Sequence, residues 1–516
     1  MSFSVPDLLA SLPDRLSAIP RRWQKERPDA RAILDRGIWW TFADLGRAVD
    51  EAKVLLVAND VRPGDRVMIV GENCAAQVAL IFAIAEIDAW SVSVNARLSA
   101  AEVDNIRTHC GARRVIYTIA VSSDAKVHAT EANATHRASP LLGELAISPL
   151  NESCVPEPVE ADGGKQVAAL IYTTGTTGHP KGVMLTHRNL LFISNISSRL
   201  RGLTANDLVY GVLPISHVYG LASVMLGTLN GGASIEMVAR YTPQALLKSI
   251  EHTDLTILQG VPAMYARLLE FVGPDWQPPG NQLRFMYAGG SPLDPTLKKA
   301  VEARFKVPLH NGYGMTESSP TISQTRPEAP RDDTSVGYVI PGINVRIVDK
   351  DGHDLPDGEP GECWVRGPNI MKGYYREPEL TAATMREGDW LNTGDIVRRD
   401  PDGALFIVGR TKELIIRSGF NVYPVEVEAA INAHPAVTQS AVVGRQAEDG
   451  NEEVVAYIEL DTKHTLEPAA LQAFLAERLS PYKVPSRIII MKALPAAATG
   501  KILKGKLKEA AQKLGA

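Results

Sequence analysis

Apolar positions along the chain follow two periods, and the switches between them predict its elements. Val167 to Tyr172 is an unbroken apolar run of strand length, the pattern of a buried strand. Arg66 to Val70, Ser91 to Val94 and Val115 to Tyr117 read as further short strands. Between them the helical period predicts Glu72 to Glu86, with one apolar face, and Ala100 to His109. Trp39 to Thr41 ends a strand, and Thr41 with Asp44 has the spacing of a capping box that opens a helix. Strands alternating with helices imply parallel β-α units. From Ala120 to Gly164 the patterning fades, and an irregular connection is expected there.

The alternation resumes with a helix from His187 to Leu200 and a strand from Leu208 to Leu213. Strands over Thr256 to Gly260 and Arg284 to Ala288 follow, and then a helix from Pro295 to Phe305. Val336 to Arg366 changes character: short alternating strands broken by Gly and Pro predict a β-subdomain. Beyond Leu414, three strands (Val437 to Val443, Glu453 to Glu459, Ser486 to Met491) and two helices (Pro424 to Ala433, Pro468 to Leu479) suggest a small α+β unit.

Composition narrows the class. The chain has 516 residues, 45% hydrophobic and 22% charged, which suits a globular protein of two or more domains. A net charge of −5 argues against a nucleic-acid or anionic-membrane binder. Cys74, Cys110, Cys154 and Cys363 form no CxxC pair, so neither a zinc site nor a disulfide framework is expected, and a reducing, cytoplasmic setting fits. The N-terminal residues show no secretory pattern. The longest apolar run, Val78 to Ala85, is too short to span a bilayer.

The chemistry-bearing stretch follows the strand at Tyr172. It reads Thr173-Thr174-Gly175-Thr176-Thr177-Gly178-His179-Pro180-Lys181-Gly182-Val183. Glycines let consecutive N–H groups converge on one anion, threonine hydroxyls add small donors, and Lys181 adds a positive charge. These are the parts of a polyphosphate cradle. It is not a Walker A loop, since Lys181 stands between Pro180 and Gly182 rather than before Ser or Thr.

The stretch resembles the phosphate loop of the adenylate-forming superfamily, which holds acyl-CoA synthetases, adenylation domains and luciferases. Further motifs of that family follow in order, and the resemblance runs from about Trp39 to Lys506. It implies an α/β fold: a large N-terminal domain of mixed sheets and helices with a β-subdomain, over residues 1–411, and a small mobile α+β domain over 412–516. Lys412 matches the hinge. The turn Gly289-Gly290-Ser291 after a strand would hold adenine, in keeping with ligand sites at strand ends. In Asn311-Gly312-Tyr313-Gly314-Met315-Thr316-Glu317, Thr316 would meet the α-phosphate and Glu317 would hold Mg²⁺. Asp395 would bind the ribose diol, Arg410 would also contact the nucleotide, and Lys501 would be the adenylation lysine. Ala496 and Ala497 stand where the family usually has basic or polar residues. Ser418, Gly419 and Phe420 match the segment that faces the thiol acceptor.

The resemblance implies a two-step acid–CoA ligase that uses ATP, Mg²⁺ and coenzyme A. His217, Tyr219, Tyr287, Ala288, Gly312, Met315 and Ser318 are the implied acyl-pocket residues. They are mostly apolar or small, with no Arg or Lys and no acid among them, which disfavours dicarboxylates and amino acids and favours a medium-chain fatty or aryl monocarboxylic acid. Gly312 is expected to leave that pocket deep. The absence of a fused carrier domain favours free CoA over a carrier-protein thiol. A non-catalytic nucleotide sensor on the same scaffold is the rival of another class. A lysine acyltransferase acting on Lys501 would switch the enzyme off, because acylation removes a charge.

Overall fold

The computed structural model describes residues 4–174, 180–278, 280, 282–417, 420–447, 451–461, 464–497 and 502–514. Among these residues, two large sheets hold the strands up to Val339 and the strand Gly373–Tyr374. One runs in the order Tyr338–Val339, Thr321–Gln324, Leu309–Gly314, Phe285–Ala288, Ile257–Gly260, Leu208–Gly211, Ser234–Met237, Arg31–Asp35 and Ile38–Thr41. Its interior pairings are parallel and its edges antiparallel. The second runs Gly373–Tyr374, Pro180–Thr186, Val167–Thr174, Trp90–Asn95, Arg66–Gly71, Arg114–Tyr117, Gly143–Ile147 and Thr135–Ser139.

The helix Ala75–Glu86 lies between them. It touches Arg31–Asp35 of the first sheet and Arg66–Gly71 and Trp90–Asn95 of the second. Every residue from Ala75 to Ala85 is buried, so the expected single apolar face is corrected to burial all round, as for any helix enclosed by a core. The helix starts later than the predicted Glu72, because Asp35 Oδ2 accepts the Ala75 N–H at 3.0 Å. Asn73 is spent elsewhere: its side chain donates to the carbonyls of Gly211 and Leu213 and accepts from the Ile215 N–H. That residue therefore stitches the two sheets together just ahead of His217.

The capping box at Thr41 and Asp44 is present and opens the helix Phe42–Ala58. The connection from Ala120 to Gly164 is not irregular throughout. It contains the helix Ser123–Glu131 and an antiparallel hairpin of Thr135–Ser139 with Gly143–Ile147. The outer strand of that hairpin is exposed, so it carries none of the apolar alternation that marks a half-buried strand.

A five-stranded sheet, built from Asn344–Val348, Gly361–Arg366, Trp390–Arg399, Met385–Arg386 and Leu405–Arg410, forms the β-subdomain. From Ile415 onward the residues pack on cores of their own, around Val427, Val442, Val454 and Leu471, and around Val443, Val455 and Leu507. The hairpin Ile415–Arg417 with Phe420–Val422 precedes a three-stranded sheet of Val437–Gln446, Glu452–Leu460 and Arg487–Met491. Among the described residues, no helix is long and apolar enough to cross a membrane. The four cysteines are free and buried.

Because Asp35 joins one sheet to the helix under the other, its cap is a stability element. Asp35→Ala is expected to cost about 1–2 kcal/mol, the usual range for a lost N-cap. Thermal unfolding followed by circular dichroism measures it, and an unchanged midpoint would show that the cap is not needed.

Candidate active site

One segment gathers the site: the strand Leu309–Gly314 and the short turn Thr316–Ser318 that follows it. The strand lies parallel to Phe285–Ala288 on one side and antiparallel to Thr321–Gln324 on the other. At its end the Met315 N–H bonds the Pro320 carbonyl at 3.0 Å. The turn closes so tightly that a Cβ on Gly314 would lie 1.9 Å from that same carbonyl oxygen, so only glycine fits.

Two side chains leave this segment for other elements. Tyr313 Oη donates to Asp395 Oδ2 at 2.5 Å. Asp395 sits opposite Arg410 in the antiparallel register of Trp390–Arg399 with Leu405–Arg410, and Arg410 Nε meets its other oxygen at 2.9 Å. Asp395 is buried while Arg410 reaches solvent. Burial and the Asp395 charge hold the Tyr313 phenol well above its ordinary value, so it stays a protonated donor. The three expected nucleotide residues therefore form one connected group.

Glu317 is the second branch. Its buried carboxylate accepts the Tyr374 hydroxyl at 2.7 Å. Lys181 Nζ lies 5.6 Å from the centre of the same Tyr374 ring, within cation–π range. Gly373–Tyr374 reaches this place as an edge strand on Pro180–Thr186, and the Met371 N–H bonds the Glu317 carbonyl at 2.9 Å. Burial and the Glu317 charge push the Tyr374 pKa up. Tyr374 is a site residue that sequence reasoning missed. Its only signal is an aromatic pair after Gly373, and its partners come from remote strands.

The phosphate stretch differs from the expected form where it is described. Val167–Thr174 and Pro180–Thr186 are antiparallel neighbours, and Thr173 faces Lys181 across the ladder. Lys181 is thus a strand residue rather than a loop residue. Gly175, Thr176, Thr177 and Gly178 lie outside the described residues, as do Ser418, Gly419 and Lys501. Thr174 belongs to the strand. Lys504, shortly after Lys501 in the chain, bridges Glu413 at 3.0 Å and Glu428 at 2.7 Å, which ties this end of the chain to the segment next to Lys412. Lys412 itself is exposed. Phe420 is exposed and stacks on Tyr482 with ring centres 4.6 Å apart.

Some expected contacts are already committed within the protein. The Asn311 amide donates to the Thr334 and Ser335 carbonyls and accepts the Gly312 N–H, so its side chain shapes the strand. Ser318 Oγ is bonded to the Met315 and Pro320 carbonyls and accepts the Met315 N–H, so its hydroxyl belongs to the turn. Thr316 is buried and Met315 half-buried on either side of the bend. Gly289 is buried and Gly290 exposed with φ +80° at the turn after Phe285–Ala288, and Ser291 is half-buried. The buried Ala288 ends that strand. His217 is half-buried, and its Nδ1 accepts the Tyr219 N–H at 3.3 Å.

The expectation that Gly312 leaves a deep pocket is corrected. A Cβ there would lie 1.7 Å from Tyr287 Oη and 2.8 Å from the Ser323 carbonyl oxygen. The Tyr287 phenol fills that space. Tyr219 meets Tyr287 edge-on with ring centres 6.1 Å apart, and both rings press on Gly289.

Residues 20–375 match the model of the AMP-binding enzyme family, and residues 426–501 match that of the AMP-binding enzyme C-terminal domain. The chain is 33% identical to a feruloyl-CoA synthase of Amycolatopsis sp, over 96% of this chain and 98% of that one. It is also 33% identical to the 2-succinylbenzoate–CoA ligase of Geobacillus kaustophilus, over 94% and 97%. The crystal structure of ATP-bound MatB from Rhodopseudomonas palustris superposes with a TM-score of 0.85 at 29% identity, covering 97% of this chain and 99% of that one. With both family models matched in order and relatives aligned along nearly their whole length, the chain belongs to the AMP-binding enzymes of the adenylate-forming superfamily and is an AMP-forming acyl-CoA synthetase.

Proposed function

We propose that the protein activates an aryl carboxylic acid with ATP and passes the acyl group to coenzyme A. The observation that supports the adenylation step is the Glu317–Tyr374–Lys181 chain, which gathers a carboxylate and a cation on one tyrosine, with Lys181 opposite Thr173 of the phosphate stretch. In the first step the acid's carboxylate attacks the α-phosphorus and pyrophosphate leaves. Negative charge accumulates on the phosphate oxygens, and fixed donors stabilise it most in the transition state. Lys181, Thr173 and Thr316 supply donors, Asp395 with Arg410 holds the ribose end, and Gly289 to Ser291 flank the adenine. Glu317 fits a magnesium ligand, being a buried carboxylate with one oxygen oriented by Tyr374. Glu317 would hold a magnesium ion there, which would supply Lewis-acid charge at the triphosphate.

Lys501 is assigned to this first step. In the second step the CoA thiolate attacks the acyl carbonyl and AMP leaves. Rotation of residues 412–516 about Lys412 would exchange Lys501 for the Ser418–Phe420 face, a domain closure of familiar type. An acyltransferase that modified Lys501 would block adenylation by the charge argument already given.

The aryl reading is supported by the Tyr219–Tyr287 pair pressed on Gly289. A slot walled by ring faces and edges suits a flat acid better than a flexible chain. Two relatives are named for feruloyl and succinylbenzoate, both aryl groups.

Incubation with ATP, CoA and a panel of acids tests the reading. Pyrophosphate and AMP should appear, with aryl acids preferred over alkanoic acids of equal carbon number. Release of ADP would contradict the reaction, and a preference for flexible medium-chain acids would contradict the aryl assignment. Lys501→Ala should abolish acyl-adenylate formation while sparing transfer from pre-formed acyl-AMP to CoA. Equal loss of both steps would show that the lysine is structural.

Gly312→Ala should depress every acid together, by roughly 5- to 150-fold if the overpacking costs about 1–3 kcal/mol. Adding Tyr287→Ala should restore part of the loss. A gain on small acids from the single substitution would return the pocket floor to Gly312.

A further inference from the structure

Arg201 ends the helix His187–Leu200 and is 1% exposed. Its guanidinium is charged at any ordinary pH, and a buried charge is costly unless it is paired. Among the described residues no carboxylate pairs with it. Asp207, on the connection that follows, is taken by Arg284 at 2.7 Å. Arg201 Nη1 donates to the Ser223 carbonyl at 3.0 Å, an oxygen inside the wide helical turn Tyr219–Leu226. Its Nε is buried with no hydrogen-bond partner.

This arginine packs beside two of the expected acyl-pocket residues, Tyr287 and Tyr219. Its guanidinium carbon stands 4.9 Å from the centre of the Tyr287 ring. Tyr219 Oη is also buried without a partner. Burial raises the pKa of both phenols, against the lowering influence of the Arg201 charge, so both are protonated. Ser223 Oγ and Thr321 Oγ1 lie 3.4 Å apart beside them. Arg201 Nε and the Tyr219 phenol, both buried without a hydrogen-bond partner, thus lie close to Tyr287, the residue that fills the space in front of Gly312.

We propose that Arg201, with Tyr219 and Tyr287, is an oxyanion receptor at the distal end of the acyl pocket, so that the preferred acid carries a second carboxylate. This rests on the acyl-pocket reading above and replaces its monocarboxylic limit. That limit was drawn from the seven pocket candidates alone, and Arg201 is not among them. A distal carboxylate compensates the buried charge and gives the orphaned Nε and the Tyr219 hydroxyl an acceptor. Tyr287 must swing aside for it, and Gly289 and Gly312 border the ring on which that movement depends.

The test uses acid pairs that differ only at the far end: terephthalate against para-toluate, and adipate against hexanoate. Pyrophosphate release is measured for the full-length enzyme, for Arg201→Met, which is uncharged, and for Arg201→Lys, which keeps the charge. The wild type should prefer one diacid over its neutral mimic. Arg201→Met should lower kcat/KM for that diacid by about 100-fold or more, as for a site left with an unmatched polar end. It should leave the neutral mimic unchanged or improved, and Arg201→Lys should recover part of the loss.

Equal loss on both members of a pair would overturn the proposal and make Arg201 a support for Tyr287 and Ser223. So would a wild type that turns over the neutral acids but neither diacid. If Arg201→Met fails to fold, calorimetric binding of terephthalate and adipate to the wild type and to Arg201→Lys decides, and no measurable diacid binding overturns the proposal. Absence of pyrophosphate release with every acid would instead sink the ligase reading, and the same calorimetry still judges the receptor by itself.

Discussion

The contact on which the rest of the site depends is the hydrogen bond from Tyr374 to Glu317. It joins two elements that the chain reaches far apart: the turn after Leu309–Gly314 and the edge strand on Pro180–Thr186. A buried carboxylate without a partner would be protonated or displaced. The phenol keeps Glu317 oriented, and the same ring offers its face to Lys181. One tyrosine therefore contacts both the Glu317 carboxylate and the Lys181 cation. Removing its hydroxyl would leave the buried Glu317 carboxylate without that donor, with the backbone bond from Met371 still in place.

The large sheets are built to keep that spacing. The buried helix Ala75–Glu86 fills the gap between them, Asp35 caps it, and Asn73 crosses from one sheet to the carbonyls of the other. On this frame Tyr313 and Glu317, close in sequence, reach separate partners. Tyr313 goes to Asp395, which pairs with Arg410, and Glu317 goes to Tyr374 beside Lys181. The two glycines flanking Tyr313 serve different constraints. Gly314 admits the Pro320 carbonyl, and Gly312 admits the Tyr287 phenol.

Local signals carried much of this into the sequence. The Thr41–Asp44 box and the helix Pro295–Phe305 are set by neighbours along the chain, and both were readable at residue level. The adenylate-forming motifs were readable because their glycines, threonines and charges have a direct chemical reason. What escaped depends on distant partners. The apolar run at Ala75–Glu86 reads as one-faced until a second sheet covers its other side. Lys181 reads as a loop residue until Thr173 is found across the ladder. The polar strand Thr135–Ser139 is an exposed edge and has no apolar pattern to detect. Tyr374 and Arg201 carry no motif at all. Their meaning comes from Glu317 and Lys181 in one case, and from Ser223 and Tyr287 in the other.

Acid-dependent ATP–pyrophosphate exchange by Tyr374→Phe tests this account most directly, because the substitution removes one hydroxyl and keeps the ring. The exchange rate should fall about 10-fold or more, as expected when a buried charged acceptor loses its donor. KM for magnesium-ATP should rise while KM for the acid holds, and the unfolding midpoint should shift little. Exchange at the wild-type rate, or equal weakening of ATP and acid, would contradict the claim that this hydrogen bond sets the geometry of the phosphate site.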